Sequence, residues 1–242
     1  MSYGIEIKNL RKEFGSLTAV DNLSLNINEG EIFAFLGVNG AGKTTTIRML
    51  TGLTVPTSGD ATVLGHSIIS ELDEVKKIGN LSPQETSVAP NLTVAENLEF
   101  IAGIYGLDRE QSRKNAAELM KVFGLEEVWN KKAKTLSGGY QRKVSIAMAL
   151  ITDPKILYLD EPTLGLDVLS RRELWRAIEA LKGKVTIVLT THYMEEAEAL
   201  SDRIAIMVKG RKVEEGTMEE LRKKTGKERL EDIFVSIVED MQ

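Results

Sequence analysis

Five consecutive apolar residues, Ile32-Phe33-Ala34-Phe35-Leu36, run directly into Gly37-Val38-Asn39-Gly40-Ala41-Gly42-Lys43-Thr44. An unbroken apolar run of this length reads as a strand buried on both faces, because a strand with one wet face alternates polar and apolar residues. The glycine-rich octet matches the phosphate-binding loop pattern G-x-x-x-x-G-K-[ST] in full. A helical pattern follows through Ile47, Met49 and Leu50, so the octet sits between a buried strand and a helix start, as such a loop requires. In that setting the glycines let backbone amides approach phosphate oxygens. Lys43 is expected to reach the β- and γ-phosphates, and the Thr44 hydroxyl to ligate Mg2+.

Further strand signals lie at 5–7, 23–27, 156–159, 185–190 and 204–208, with helices expected at about 169–182 and 193–201. Alternation of this kind predicts right-handed βαβ units and a largely parallel sheet, hence an α/β fold. Residues 3–36 read as short strands. Between about 93 and 150 the period lengthens: Val94, Leu98, Ile101 and Tyr105, then Ala116, Leu119, Met120 and Phe123, then Val144, Ala147, Met148 and Ile151 recur every three or four residues. This is a helical insertion, ended by Asp153-Pro154 because proline disfavours helix in the residue before it. A last amphipathic helix, near Leu230, Ile233, Phe234 and Ile237, is expected to pack back on the core.

Two more segments carry chemistry. Leu136-Ser137-Gly138-Gly139-Tyr140-Gln141 precedes a helical pattern; its glycines leave backbone N–H groups open to an anion, and Ser137 can equally serve as a plain N-cap. The apolar run Leu157-Tyr158-Leu159 ends in Asp160-Glu161-Pro162, at the carboxyl edge where an α/β sheet presents ligand-binding residues. Alone, Asp-Glu-Pro is a solvated turn. Beside a phosphate loop, Asp160 is placed to hold Mg2+ and Glu161 to orient or deprotonate an attacking water.

Together these residues resemble the nucleotide-binding ATPase subunit of ABC transporters, over residues 3–218. The resemblance implies a P-loop NTPase core with a mostly parallel sheet, an antiparallel β subdomain and an inserted α-helical subdomain. The corresponding ranges are an ATPase domain at 1–220, with its core at 1–84 and 153–220 and its helical subdomain at 85–152, and a helical extension at 221–242. ATP and Mg2+ are the implied cofactors. Gly37, Asn39, Gly40, Ala41, Gly42, Lys43, Thr44 and Thr45 would bind nucleotide, while Thr44, Gln84 and Asp160 would hold the metal. Beside Glu161, the family pattern gives Gln84 as the linker glutamine touching metal, water and membrane partner, and His192 as the switch histidine at the γ-phosphate. Asp167 would couple two active sites and Phe14 would stack on adenine. By themselves Gln84 reads as a polar loop residue and His192 as a strand-end histidine. Phe14 replaces the more usual tyrosine and Val38 a frequent proline; a phenyl face still presents a π-surface.

In this family Ser137, Gly138 and Gly139 close over the ATP of a second subunit, so the resemblance implies a homodimer or heterodimer of ATPase subunits. It also implies a separate transmembrane permease and a position on the inner face of the membrane. No run approaches the roughly 18 apolar residues of a membrane span, and no secretory h-region opens the chain. Cysteine is absent, in keeping with a reducing compartment. A net charge of −5 without basic blocks argues against nucleic acid as partner. The apolar residues of 94–105 form either helical core or a docking surface. Thr191-His192-Tyr193-Met194-Glu195-Glu196-Ala197-Glu198 resembles the exporter-type ATPases of multidrug, lipid or polysaccharide systems. The other reading is a soluble ABC ATPase without transport, acting as an assembly or scaffold switch.

Overall fold

Alternate residues of the central strands face two different cores, and that division sets the architecture. The computed structural model describes residues 2–239. It opens with β1 (Tyr3–Phe14), β2 (Leu17–Asn28), β3 (Ile32–Leu36) and helix α1 (Lys43–Leu50). Next come β4 (Ser58–Val63), β5 (His66–Ser67), α2 (Leu72–Ile78) and β6 (Gly79–Ser82). Helices α3 (Val94–Ile104), α4 (Arg109–Phe123) and α5 (Gly138–Leu150) follow. The remainder runs β7 (Ile156–Asp160), α6 (Val168–Glu179), β8 (Thr186–Thr191), α7 (Met194–Leu200), β9 (Arg203–Val208), β10 (Arg211–Gly216), α8 (Met218–Thr225) and α9 (Leu230–Glu239).

A six-stranded sheet has the order β10-β9-β3-β8-β7-β6, parallel throughout except for the edge strand β10. A separate four-stranded sheet, β2-β1-β4-β5, is antiparallel. The expected α/β architecture, with its mostly parallel sheet, antiparallel sheet and inserted helices, is therefore the one formed. Phe33, Phe35, Tyr158, Val188 and Met207 meet Ile5, Ile7 and Ile27 of the antiparallel sheet and Ile47 of α1 in one core. Their strand neighbours Ala34, Leu36, Leu157, Leu159, Leu189 and Ile206 meet Leu98, Phe123, Val144, Ile178 and Ile233 of the helices in the other. Every residue of β3, β7 and β8 is buried, as the unbroken apolar run of β3 and the apolar centres of β7 and β8 require.

The first strands are longer than their apolar patches indicate. Register shifts interrupt the β1–β2 pairing, and Asn9 and Asn22 take left-handed φ of 50° and 53°, so a regular alternation never accumulates. Strands β4, β6 and β10 were not evident in the sequence because glycine, aspartate and charged residues occupy them. Capping is explicit in the helical insertion: Thr93 and Glu96 form a capping box on α3, and Asp108 and Ser137 cap α4 and α5. Asp153, before Pro154, adopts φ +53° and ends the insertion. Of its apolar residues, Val94, Leu98 and Ala102 are core, whereas Phe100, Ile104 and Tyr105 are exposed. The C-terminal helix expected near Leu230 packs its Leu230, Ile233 and Phe234 into the helical core.

Tyr158 lies in the interior of β7, and its hydroxyl has no hydrogen-bond partner among the described residues. Burial pushes its phenol pKa up. Tyr158→Phe removes an unsatisfied polar atom and keeps the ring, so chemical denaturation should find stability unchanged or raised by about 1 kcal/mol. Phe35→Ala, at a site with no exposure, should lose about 3–5 kcal/mol in the same assay; a comparable loss for Tyr158→Phe would mean the hydroxyl is bonded after all.

Candidate active site

Strand β3 pairs in parallel with β8 on one side and β9 on the other, so the chain leaves it through a narrow gap. Gly37 N–H donates to the Thr191 carbonyl at 3.3 Å, and a Cβ on Gly37 would stand 2.4 Å from the Met207 carbonyl oxygen. Only glycine permits that approach. Gly42, at φ +99°, precedes α1, and a Cβ there would lie 2.5 Å from the Ala19 carbonyl oxygen. The first turn of α1 carries no acidic residue, so its free amides and the positive end of its dipole face the loop uncompensated.

Lys43 is buried and turns back over this loop, donating to the carbonyls of Gly37 at 2.7 Å and Val38 at 3.3 Å. Its Nζ also lies 3.2 Å from Glu161 Oε1, and His192 Nδ1 lies 2.8 Å from Glu161 Oε2. Opposite a carboxylate, Nδ1 is the protonated ring nitrogen in the neutral tautomer. Glu161 itself has φ +47°, a left-handed conformation that a glutamate rarely takes. Its amide donates to the Thr190 carbonyl at 3.1 Å and to Thr190 Oγ1 at 3.0 Å. Alongside, Asp160 Oδ1 accepts from Thr44 Oγ1 at 2.8 Å and from Thr190 Oγ1 at 2.5 Å. Thr44 and Asp160 offer oxygen donors side by side, the hard-ligand chemistry that Mg2+ takes when phosphates and water complete its shell. Among the described residues no group of three or more His, Cys, Asp or Glu side chains is clustered to hold a metal ion.

A cavity of about 660 Å³ joins these groups. Phe14, Asn39, Gly40, Ala41, Gly42, Lys43, Thr44, Thr45, Gln84, Glu161 and His192 line it, so most of the residues singled out in the sequence converge there. Gly37 and Asp160 do not line it, but each bonds a side chain that does, Lys43 and Thr44 respectively. Phe14 is half exposed at the end of β1, with Lys12 Nζ 4.9 Å from its ring centroid. Leu17, Thr18, Ala19, Leu164 and Lys209 also line the cavity and were not anticipated. Lys209-Gly210 had a legible signal as the turn of the β9–β10 hairpin, as did Thr190 as a polar residue inside an apolar strand. His66 lies elsewhere, its Nδ1 3.0 Å from Glu71 Oε1.

Ser137, Gly138, Gly139 and Asp167 do not line the cavity. Ser137 caps α5 by accepting from the Tyr140 amide at 3.4 Å. Asp167 caps α6, accepting from the Leu169 and Ser170 amides at 3.0 Å and from Ser170 Oγ at 2.7 Å. The Ser170 amide, then its hydroxyl, holds the Asp167 carboxyl below its usual pKa. A Cβ on Gly139 would meet Ser170 Oγ at 2.7 Å, whereas one on Gly138 would meet nothing within 4 Å.

Comparison with known proteins places this geometry. The ABC transporter family matches residues 20–164. The chain is 43% identical over 223 residues to the daunorubicin/doxorubicin resistance ATP-binding protein DrrA of Streptomyces peucetius, covering 92% of this chain and 68% of that one. It is 48% identical over 211 residues to the phospholipid-transporting ATPase ABCA3 of Homo sapiens, 86% of this chain but only 12% of that protein's length. Among solved structures, an ATP-binding subunit of an ABC transporter superposes with a TM-score of 0.86 at 28% identity, over 98% of this chain and 100% of that one. A dimeric ATP-binding cassette in a post-hydrolysis state, bound to ADP and Pi, gives 0.77 at 30% identity, over 88% of this chain and 98% of that one. With a family match across more than half its residues and a relative aligned over most of both lengths, the chain belongs to the ABC transporter family.

Proposed function

We propose that this chain is the ATP-binding and ATP-hydrolysing subunit of a transporter, and that it couples nucleotide-driven dimer closure to movement of a substrate through a separate membrane permease. The observation that carries the hydrolytic part is Glu161, held between Lys43 and His192 at the wall of the cavity in a backbone conformation it would not choose unaided.

The loop amides and the start of α1 bind the phosphates, Phe14 offers its exposed face to the base, and Lys43 neutralises phosphate charge. Thr44 and Asp160, with Gln84 of the cavity lining, would hold Mg2+, which would supply electrostatic stabilisation of charge on the transferring phosphoryl group. Glu161 orients the attacking water and accepts its proton as the water oxygen bonds to the γ-phosphorus and the bridging oxygen departs with ADP. His192 fixes the Glu161 carboxylate through Nδ1 and stands ready to contact the γ-phosphate.

Two features support completion of the site by a second subunit. Ser137, Gly138 and Gly139 lie away from their own chain's cavity, and Gly138 has open space where a side chain would go. The post-hydrolysis neighbour is itself dimeric. Asp167, at the start of α6, would couple the two sites. Among the described residues no helix is long and apolar enough to cross a membrane; on this reading a permease supplies the path and holds the subunit at the inner face. Phe100 and Ile104 on α3, with Tyr105 just after it, offer the apolar surface for that contact. The name of the drug-resistance relative from Streptomyces peucetius favours export.

Glu161→Gln should keep MgATP affinity and lower kcat by about 10²–10⁴, with an ATP-bound dimer accumulating in size-exclusion chromatography; wild-type turnover would remove Glu161 from the mechanism. Lys43→Ala should weaken ATP binding at least about tenfold, the loss expected for a charge-assisted contact. Equilibrium binding of a fluorescent ATP analogue measures this, and unchanged affinity would contradict the phosphate-loop reading.

A further inference from the structure

Arg142 lies near the start of α5 and is almost wholly buried. Its guanidinium donates to backbone carbonyls alone: Nε to Pro162 at 2.8 Å, Nη2 to Asp160 at 3.0 Å, and Nη1 to Pro83 and, at 3.4 Å, to Gln84. Among the described residues it makes no ion pair. Burial pulls its pKa down to about 10, against the more distant carboxylates of Glu196 and Asp160, so it stays cationic at neutral pH. A guanidinium that spends its donors on carbonyls is not there for charge pairing. What it offers is a rigid planar fork that fixes its acceptors relative to one another.

The acceptors are informative. Asp160 and Pro162 are the residues on either side of Glu161, so two arms of the fork grip the chain immediately before and after the glutamate at φ +47°. A strained conformation persists only where its surroundings over-determine it. On one side Glu161 is held by its amide bonds to Thr190; on the other, by Arg142. The third arm reaches the Gln84 loop, and the arginine itself rides on the helix that begins after Ser137.

We propose that Arg142 is a positioning residue for hydrolysis. By bridging the carbonyls that flank Glu161 it holds the left-handed turn that delivers the carboxylate to Lys43 and His192. By gripping Pro83 and Gln84 with the same fork it makes α5, the Gln84 loop and the Glu161 turn move as one unit. Any shift of the Ser137–Gly138–Gly139 end of α5 is then felt at both Glu161 and Gln84. This rests on the hydrolytic role of Glu161 proposed above.

Arg142→Lys tests it, since an ammonium keeps the charge and loses the fork. The expected result is a kcat lower by about tenfold or more, the scale of a small misplacement of a reacting group. MgATP affinity, measured in the Glu161→Gln background, should change less than about threefold with and without Arg142→Lys. Amide hydrogen exchange should quicken at residues 82–87 and 160–164 while the amides of α1 keep their protection. Arg142→Gln, uncharged and with two donors, should give the same split. Wild-type kcat in a folded Arg142→Lys chain overturns the proposal. So does a variant in which affinity and turnover fall together with exchange rising throughout, the mark of a merely structural arginine. A wild-type chain that binds ATP but does not hydrolyse it, alone or with its permease, would instead remove the reading on which the proposal rests.

Discussion

Burial of the central strands on both faces is the constraint from which the rest follows. A strand such as β3 has no wet face, so it needs a layer above and a layer below, and the antiparallel sheet with α1 and the larger set of helices supply them. Polar chemistry is then confined to the strand ends. Because the parallel order is β3-β8-β7, three carboxyl ends lie in a row: Gly37 after β3, His192 after β8, and Asp160-Glu161 at and after β7. Residues more than a hundred positions apart become hydrogen-bonding neighbours through strand order alone.

Placing charges at the rim of a dry sheet demands compensation, and the site meets it with fixed partners for Asp160 and Glu161. Asp160 accepts two threonine hydroxyls, and Glu161 lies between a lysine and a histidine. Behind them Glu196, fully buried, accepts from Trp175 Nε1 at 3.1 Å, and desolvation raises its pKa. Removing one member of such a network leaves another buried and unpaired, which costs more than the bond itself. The same network keeps the carboxylates from turning away into solvent. Preorganisation here is the by-product of solving a burial problem.

Much of this was legible in the sequence, and the reason is physical. The buried strands, the phosphate loop and the Asp160-Glu161 edge each require particular residue types at fixed spacing, so their pattern survives without the structure. Strand β6 leaves little trace because four residues beginning with glycine pair only when β7 is already in place. The cavity wall formed by Leu17, Thr18 and Ala19 was hidden for a similar reason: the β1–β2 hairpin is bulged, and its turn reaches the loop only through tertiary packing. Arg142 was invisible as a link because its partners are backbone carbonyls, which carry no residue signature.

Gly138 and Gly139 divide along the same line. Gly139 is required within the chain, since a side chain there would strike Ser170 at the start of α6. Gly138 has no such neighbour and no positive φ, so neither the fold nor the backbone calls for glycine. A glycine that its own chain does not need is explained most economically by something that approaches from outside. On the proposed reading that visitor is nucleotide held by a second subunit, and Arg142, about one turn further along α5, sits where its arrival would be transmitted to Glu161. On that reading, the helix start that looks like a flexible cap within one chain has one glycine answering to this fold and the other to a partner.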